Sequence, residues 1–184
     1  MTALPTVLVL ASGRGARFAA SGGTVHKLQA DLAGKPVLQH TLDAVRASGL
    51  PWHVEDVGHA GMGDSIAAAV RATSGAAGWL ILPGDLPLVQ PDTLRWIASE
   101  APSRVLVPVY QGQRGHPVRF AAECDRELMN LKGEKGAVQV LLAYAAMNLV
   151  AFLTVDDVGI ITDIDTLDDL QRAHAVLAGR SAAG

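Results

Sequence analysis

The sequence predicts an α/β fold in three layers: a mainly parallel sheet, helices on both faces and a short antiparallel ribbon. Three observations predict it. Short apolar runs alternate with stretches at helical spacing along the whole 184 residues. The runs are continuously apolar, as strands covered on both faces are. Two of them, Val7–Leu10 and Trp79–Leu82, break into glycine-containing loops, as strands do where an open α/β sheet binds ligands. A chain of this length, 49% hydrophobic, can bury one sizeable core, so one domain over 1–184 is expected.

Taken in order, Val7–Leu10 is the first strand, and a loop of small residues with Arg14, Arg17 and Lys27 follows it. Pro36 can open a helix whose apolar positions Val37, Leu38, Leu42 and Val45 recur at helical spacing until Gly49 and Pro51. Trp52–Val57 reads as a strand. The glycine-rich stretch 58–65 leads to a helix over Ile66–Thr73 that Asp64 or Ser65 can cap. Trp79–Leu82 is the clearest buried strand. Pro91–Ala98 reads as a helix and Val105–Tyr110 as a strand, with a turn at 111–117 returning into Val118–Phe120 as the antiparallel ribbon. Ala121–Asn130 and Ala137–Ala146 are expected helices, separated by Leu131–Gly136, and Leu149–Val155 is the last strand. The final helix is expected over Leu167–Leu177. Asp168 and Asp169 suit its first turn, Gly179 ends it, and 180–184 form a frayed tail.

Composition narrows the function classes. A net charge of -3 and a pI near 6.0 provide no basic field for a nucleic-acid backbone, so small anions fit better than polymers. The single cysteine, Cys124, excludes an internal disulfide and a cysteine zinc cluster, and reads as a small buried apolar residue. The apolar start is too short to span a bilayer and lacks a basic leader, so no membrane partner and a cytoplasmic location are expected. The three tryptophans, Trp52, Trp79 and Trp96, fall in element patterns and read as core. The six histidines show no metal-ligand spacing, and only His26 and His116 fall inside motifs.

The loop after the first strand carries the chemistry. Glycines let backbone N–H groups approach an anion closely, and Arg14, Arg17 and Lys27 add positive charge. Two familiar phosphate loops fail on spacing. A dinucleotide fingerprint from Gly13 needs glycine or alanine at 18, where Phe18 stands. A Walker A loop at Gly34-Lys35 meets Pro36 instead of serine or threonine. Asp85 is a lone carboxylate at the end of an interior strand, where hard oxygen ligands suit Mg²⁺ bridging phosphates. It also suits a turn between two prolines.

Leu10-Ala11-Ser12-Gly13-Arg14-Gly15-Ala16-Arg17-Phe18 with Lys27 resembles the LAAGxSxRMGxxK signature of the MobA-like nucleotidyltransferases. Ser12 replaces an alanine or glycine, and Ala19–His26 lengthen the path to Lys27. Further resemblances follow in order: Gly61-Met62-Gly63-Asp64-Ser65-Ile66 to GMSxSL, Pro83–Pro87 to xxDxP, Gly115–Phe120 to GHPVxF, Gly133–Ala137 to GDKGA, and Asp163–Leu170 to DIDTPEDL. The set is most similar to the branch containing the molybdenum cofactor cytidylyltransferases.

The resemblance implies a Rossmann-like nucleotidyltransferase fold and transfer of a nucleoside monophosphate, CMP from CTP, to a phosphorylated acceptor such as molybdopterin, releasing pyrophosphate. It implies Arg17, Lys27 and Asp85 as catalytic residues. Leu10, Ala11, Ser12, Gly13, Arg14, Lys27, Gly61, Met62 and Ser65 would bind the nucleotide. Asp85 with Asp163 or Asp165 would hold Mg²⁺, and His116, Pro117, Lys135 and Gly136 would face the acceptor. A maturation partner that receives the product is a further implied contact. A guanylyl donor, a sugar-phosphate acceptor and a non-catalytic delivery module stay open as alternatives.

Overall fold

The computed structural model describes residues 3–13, 15–100 and 103–182. In chain order its elements are β1 (Thr6–Leu10), α1 (Ala16–Ala20), β2 (Asp31–Leu32), β3 (Lys35–Pro36), α2 (Val37–Ser48), β4 (Trp52–Glu55), α3 (Met62–Ala72) and β5 (Gly78–Pro83). They continue as α4 (Pro91–Ser99), β6 (Val105–Tyr110), β7 (Gln113–Arg114), β8 (Val118–Ala121), α5 (Asp125–Met129), α6 (Val138–Ala146), β9 (Val150–Thr154) and α7 (Leu167–Ala182).

The central sheet runs β4-β1-β5-β8-β6-β7, with β9 also paired to β6. The pairings β1 with β4, β1 with β5 and β6 with β9 are parallel, and β8 is inserted antiparallel between β5 and β6. The antiparallel ribbon foreseen after Tyr110 is therefore part of the main sheet. Its two strands β7 and β8 both pair with β6.

Alternate residues of the strands enter different cores, which is the period-two geometry of a strand. Val7, Val9, Leu80, Leu82 and Leu106 pack with Val45 of α2 and with Leu94 and Ile97 of α4. Leu8, Leu10, Trp79, Ile81, Val105 and Val107 pack on the other side with Ile66 and Val70 of α3, Leu128 of α5 and Val140 of α6. The three layers follow from strands apolar on both faces, each of which needs a helical cover. A third cluster, Phe18, Leu28, Leu32, Val37, Leu88, Ile164 and Ala173, fastens the loop after β1 to α7.

Four expectations are corrected. Helix α3 begins at Met62, with Gly61 as its N-cap and no capping side chain, because Asp64 and Ser65 are used elsewhere. Asp64 accepts from the Gly133 amide at 2.8 Å, and Ser65 Oγ bonds the Gly61 carbonyl and Ser12 Oγ. The stretch 121–130 is no continuous helix. β8 extends through Ala121, and a 3-10 turn, Ala122–Cys124, precedes α5.

Helix α7 passes through Gly179 to Ala182. Arg180 explains the extension, since its guanidinium donates to the Leu88 carbonyl at 2.8 Å and reaches Asp157 at 3.4 Å. The remainder of the expected tail, 183–184, lies outside the described residues. Of the tryptophans only Trp79 is core, 1% exposed, while Trp52 and Trp96 are 42% and 43% exposed. Trp52 stacks instead beneath the Arg46 guanidinium at 5.5 Å. Cys124 is buried, as expected.

Candidate functional site

The site forms at the carboxyl ends of β1 and β5. Gly84 donates its amide to the Leu10 carbonyl at 2.9 Å. A Cβ at residue 84 would lie 3.0 Å from that carbonyl oxygen, so glycine allows the two strand ends to meet. Thr41 Oγ1 fixes the next peptide by donating to the Gly84 carbonyl, and Ile164 N bonds the Asp85 carbonyl at 3.0 Å. Asp85 is thereby pinned between strand β5 and the segment before α7.

Lys27 is the centre of the charge arrangement. Its Nζ lies 2.5 Å from Asp85 Oδ2 and 2.9 Å from Asp165 Oδ1, and Arg17 Nη1 meets Asp165 Oδ2 at 2.5 Å. Burial alone would lower the Lys27 ammonium. The charges of Asp85 and Asp165 and their hydrogen bonds outweigh it and hold the ammonium above its ordinary value. Asp163 is not bonded to Lys27. Its carboxyl is pushed above the usual range, first by desolvation and then by the charges of Asp165, Asp85 and Asp169.

The loop between β1 and Lys27 is closed by a residue sequence reading passed over in this role. His26 Nδ1 accepts from the Leu28 amide at 3.3 Å, which leaves Nε2 to donate to the Gly13 carbonyl at 2.6 Å. Gly15 takes a left-handed φ of 64° at the start of α1. These contacts give the lengthened Ala19–His26 segment a defined path that returns Lys27 to the strand ends.

Two cavities flank this centre. A polar cleft of about 340 Å³ is lined by Ser12, Gly13, Arg17, Lys27, Ser65 and Asp165 among others. An apolar one of about 370 Å³ is lined by Leu10, Ile81, Val118, Phe120, His116 and Lys135 among others. Met62 and Glu134 line both and form the wall between them. His116 keeps an accessible surface there, yet the desolvation around it lowers its pKa, against the opposing pull of Asp85.

The predicted residues divide between the two cavities. Ser12, Gly13, Arg17, Lys27, Gly61, Met62, Ser65 and Asp165 line the polar cleft, and His116, Lys135, Gly136, Leu10 and again Met62 line the apolar one. Leu10, expected beside nucleotide, lines the apolar cavity and not the polar cleft. Ala11 lines neither and holds the loop by donating its amide to the Glu55 carbonyl at 2.8 Å. Pro117 is buried beside the apolar cavity without lining it, and Asp85 and Asp163 line neither, Asp85 lying behind Lys27, whose ammonium it meets at 2.5 Å. Arg14 lies outside the described residues.

Sequence reading missed Glu55 and His59. Glu55, 7% exposed, accepts from His59 Nε2 at 3.0 Å, and His59 lines the polar cleft. A carboxylate ending strand β4 was the available signal, the same one that drew attention to Asp85.

Residues 43–148 match the family described as the MobA-like NTP transferase domain. The chain belongs to that family. Among curated relatives of this MobA-like chain, the purine catabolism protein PucB of Bacillus subtilis (strain 168) is 32% identical over 128 residues. That alignment covers 68% of this chain and 62% of PucB, so the chain spans less than two thirds of the length of that relative. Among solved structures, Rv0371c of Mycobacterium tuberculosis H37Rv superposes with a TM-score of 0.76 at 28% identity, covering 93% of this chain and 98% of that one. The same protein is also known as a complex with manganese, with a TM-score of 0.72 at 26% identity over 94% of this chain and 98% of that one. Molybdopterin-guanine dinucleotide biosynthesis protein A of Archaeoglobus fulgidus shares the fold, with a TM-score of 0.65 at 20% identity over 95% and 99% of the two chains. Among the described residues no helix is long and apolar enough to cross a membrane.

Proposed function

We propose that the chain is a nucleotidyltransferase that transfers CMP from CTP to a phosphorylated acceptor of the molybdopterin class. An acceptor phosphate oxygen attacks the α-phosphorus in line, the new P–O bond forms, the bond between the α- and β-phosphates breaks, and pyrophosphate leaves. The observation that carries this reading is the Lys27 ammonium held between Asp85 and Asp165 at a polar cleft that adjoins an apolar cavity. One cavity has the polarity of a nucleoside triphosphate. Its neighbour suits a flat heterocycle with a phosphate near Lys135.

A divalent cation fits the residues present. Asp85 Oδ1 is buried with no hydrogen-bond partner, and Oδ2 already faces a cation. No group of three or more potential ligands occurs among the described residues, and Mg²⁺ commonly uses one or two carboxylates and completes its shell with phosphate and water oxygens. Asp85 and Asp165 would hold it, and when bound it supplies neutralisation of charge on the phosphate oxygens. Lys27 would supply positive charge to the triphosphate from its place in the cleft, with the exposed Arg17 side chain at the open side. The loop at Gly61–Ser65 borders ribose and base. His116, held toward its neutral form, can take a hydrogen bond from the acceptor without adding a charge.

Pyrophosphate release from CTP with Mg²⁺ tests the reading. Release only when a molybdopterin-type acceptor is present is the expected result. Release with GTP alone as donor would give the guanylyl alternative, and release with a sugar phosphate the other acceptor class. Tight CTP binding without turnover for any acceptor would make the chain a delivery module.

A further inference from the structure

Arg119 sits at the opposite end of the sheet from the site just described. On β8 it pairs with Leu80 of β5 and Leu106 of β6. Leu80 precedes Asp85 by five residues, a separation of about 17 Å along an extended strand. Its neighbours Val118 and Phe120 face the apolar cavity, so by strand alternation the Arg119 side chain enters the other layer.

The residue is only 7% exposed, and its Nε and Nη1 atoms are buried with no hydrogen-bond partner. Burying a guanidinium without acceptors or counter-charge is strongly unfavourable. No carboxylate among the described residues lies within ion-pairing distance of it. Glu123, the acidic group whose charge it feels, is ion-paired to Arg104. Desolvation accordingly lowers the Arg119 pKa from its ordinary value.

Arg119 borders a cavity of about 520 Å³ whose other lining includes Arg104, Ser103, Asn148 and Glu123. We propose that this cavity is an oxyanion site that takes a small phosphate-class anion between Arg104 and Arg119, apart from the nucleotide cleft. Two arginines with a hydroxyl and an amide at the rim match a tetrahedral, multiply charged oxyanion better than a monovalent spherical one. Glu123 is 57% exposed on its side chain, so it can release Arg104 into the site and remain hydrated. Since Nε and Nη1 are sealed from water, engagement requires the Arg119 guanidinium to rotate toward the anion. That rotation is what an experiment can see.

The test is a titration of the full chain with inorganic phosphate at constant ionic strength, followed through the arginine Nε–H resonances by NMR and through thermal unfolding. The Arg119 Nε–H resonance is expected to shift saturably, and the midpoint to rise by about 3 °C or more at tenfold excess over the dissociation constant. Arg119→Met should diminish the rise in the unfolding midpoint, while Asp85→Asn should retain both the Arg119 resonance shift and the rise. A response confined to the amides of Gly13 and Gly15, with Arg119 unmoved, would overturn the proposal, because phosphate would then occupy the nucleotide cleft alone. An equal response to chloride, or an undiminished one in Arg119→Met, would overturn it as well. If Arg119→Met does not fold, the wild-type resonance decides. Silence at Gly13 with movement at Arg119 supports the site and counts only against the nucleotide reading.

Discussion

The two cavities on either side of Met62 and Glu134 are nearly equal in volume and differ in polarity. The polar one is built from a loop, a glycine-led helix start and an ion cluster. Its neighbour is built from strand side chains of β5, β6 and β8 and the face of α6. The difference teaches where each kind of specificity is stored. Charge in the polar cleft is held by a few exchangeable ion pairs, whereas shape in the apolar cavity is fixed by the sheet core itself. Variants should therefore separate into those that silence chemistry and those that move the wall between the two.

The largest effect is expected at Asp85. Asp85→Asn keeps the shape and removes one charge facing Lys27, so turnover should fall about a thousandfold or more with thermal stability nearly unchanged. A folded variant within tenfold of wild type in pyrophosphate release would remove Asp85 from the chemistry.

Gly61→Ala attacks the wall. Its new Cβ would lie 2.4 Å from the Gly133 carbonyl carbon, forcing the 131–136 loop away from the start of α3. Loss of about 2–4 kcal/mol in urea unfolding is expected, together with weaker binding in both cavities. Gly13→Ala is the control. A Cβ at residue 13 would meet nothing within 4 Å, so a change under about 0.5 kcal/mol is expected.

Donor choice comes next. Ser12 Oγ and Ser65 Oγ share a hydrogen bond of 2.7 Å in the polar cleft, and these small hydroxyls suit a pyrimidine edge. CTP should be used at least about tenfold more efficiently than GTP or ATP, measured as kcat/KM with one acceptor. A GTP value equal to or above that for CTP reverses the assignment. Lys135→Ala should raise the acceptor KM several-fold and leave the CTP constant near wild type, because Lys135 lines only the apolar cavity. Separate titrations of the two substrates check it.

The smallest effect is a pH dependence. The folded chain holds the His116 pKa below 6.5, the value of the unfolded chain, so the unfolded state binds the proton first. Stability should fall as pH drops below about 6.5 and level off below the folded pKa. His116→Gln should flatten that part of the curve. Asp163 acts in the opposite sense at lower pH: its raised pKa means that the folded state takes up a proton first, and stability is regained as pH falls through that range.

Much of the architecture was legible because it depends on local pattern. Continuous apolar runs marked β1 and β5, Pro36 and Gly49 bracketed α2, and the alternation of elements gave the three layers. Thr166 and Asp169 bond each other reciprocally at the start of α7, a helix opening that residue types three apart already indicate. The family resemblance along the chain agrees with the match over 43–148.

What the sequence could not supply was every choice made by a distant partner. Asp64 and Ser65 have the chemistry of helix caps, but Gly133 and Ser12 claimed them across separations of 69 and 53 residues. Gly179 has the form of a helix stop, but Arg180 reached Leu88 and Asp157 and carried α7 onward. Asp163 and Asp165 stand two residues apart with the same side chain, and only the folded segment beside Asp85 turned Asp165 onto Lys27. The sequence by itself determined strands, helices and the residue types of the site, because backbone preference and burial period act over a few neighbours. Tertiary structure alone decided which carboxylate, which cap and which buried guanidinium met a partner, because hydrogen bonds and charge pairs depend on distances of a few ångströms between residues far apart in the chain.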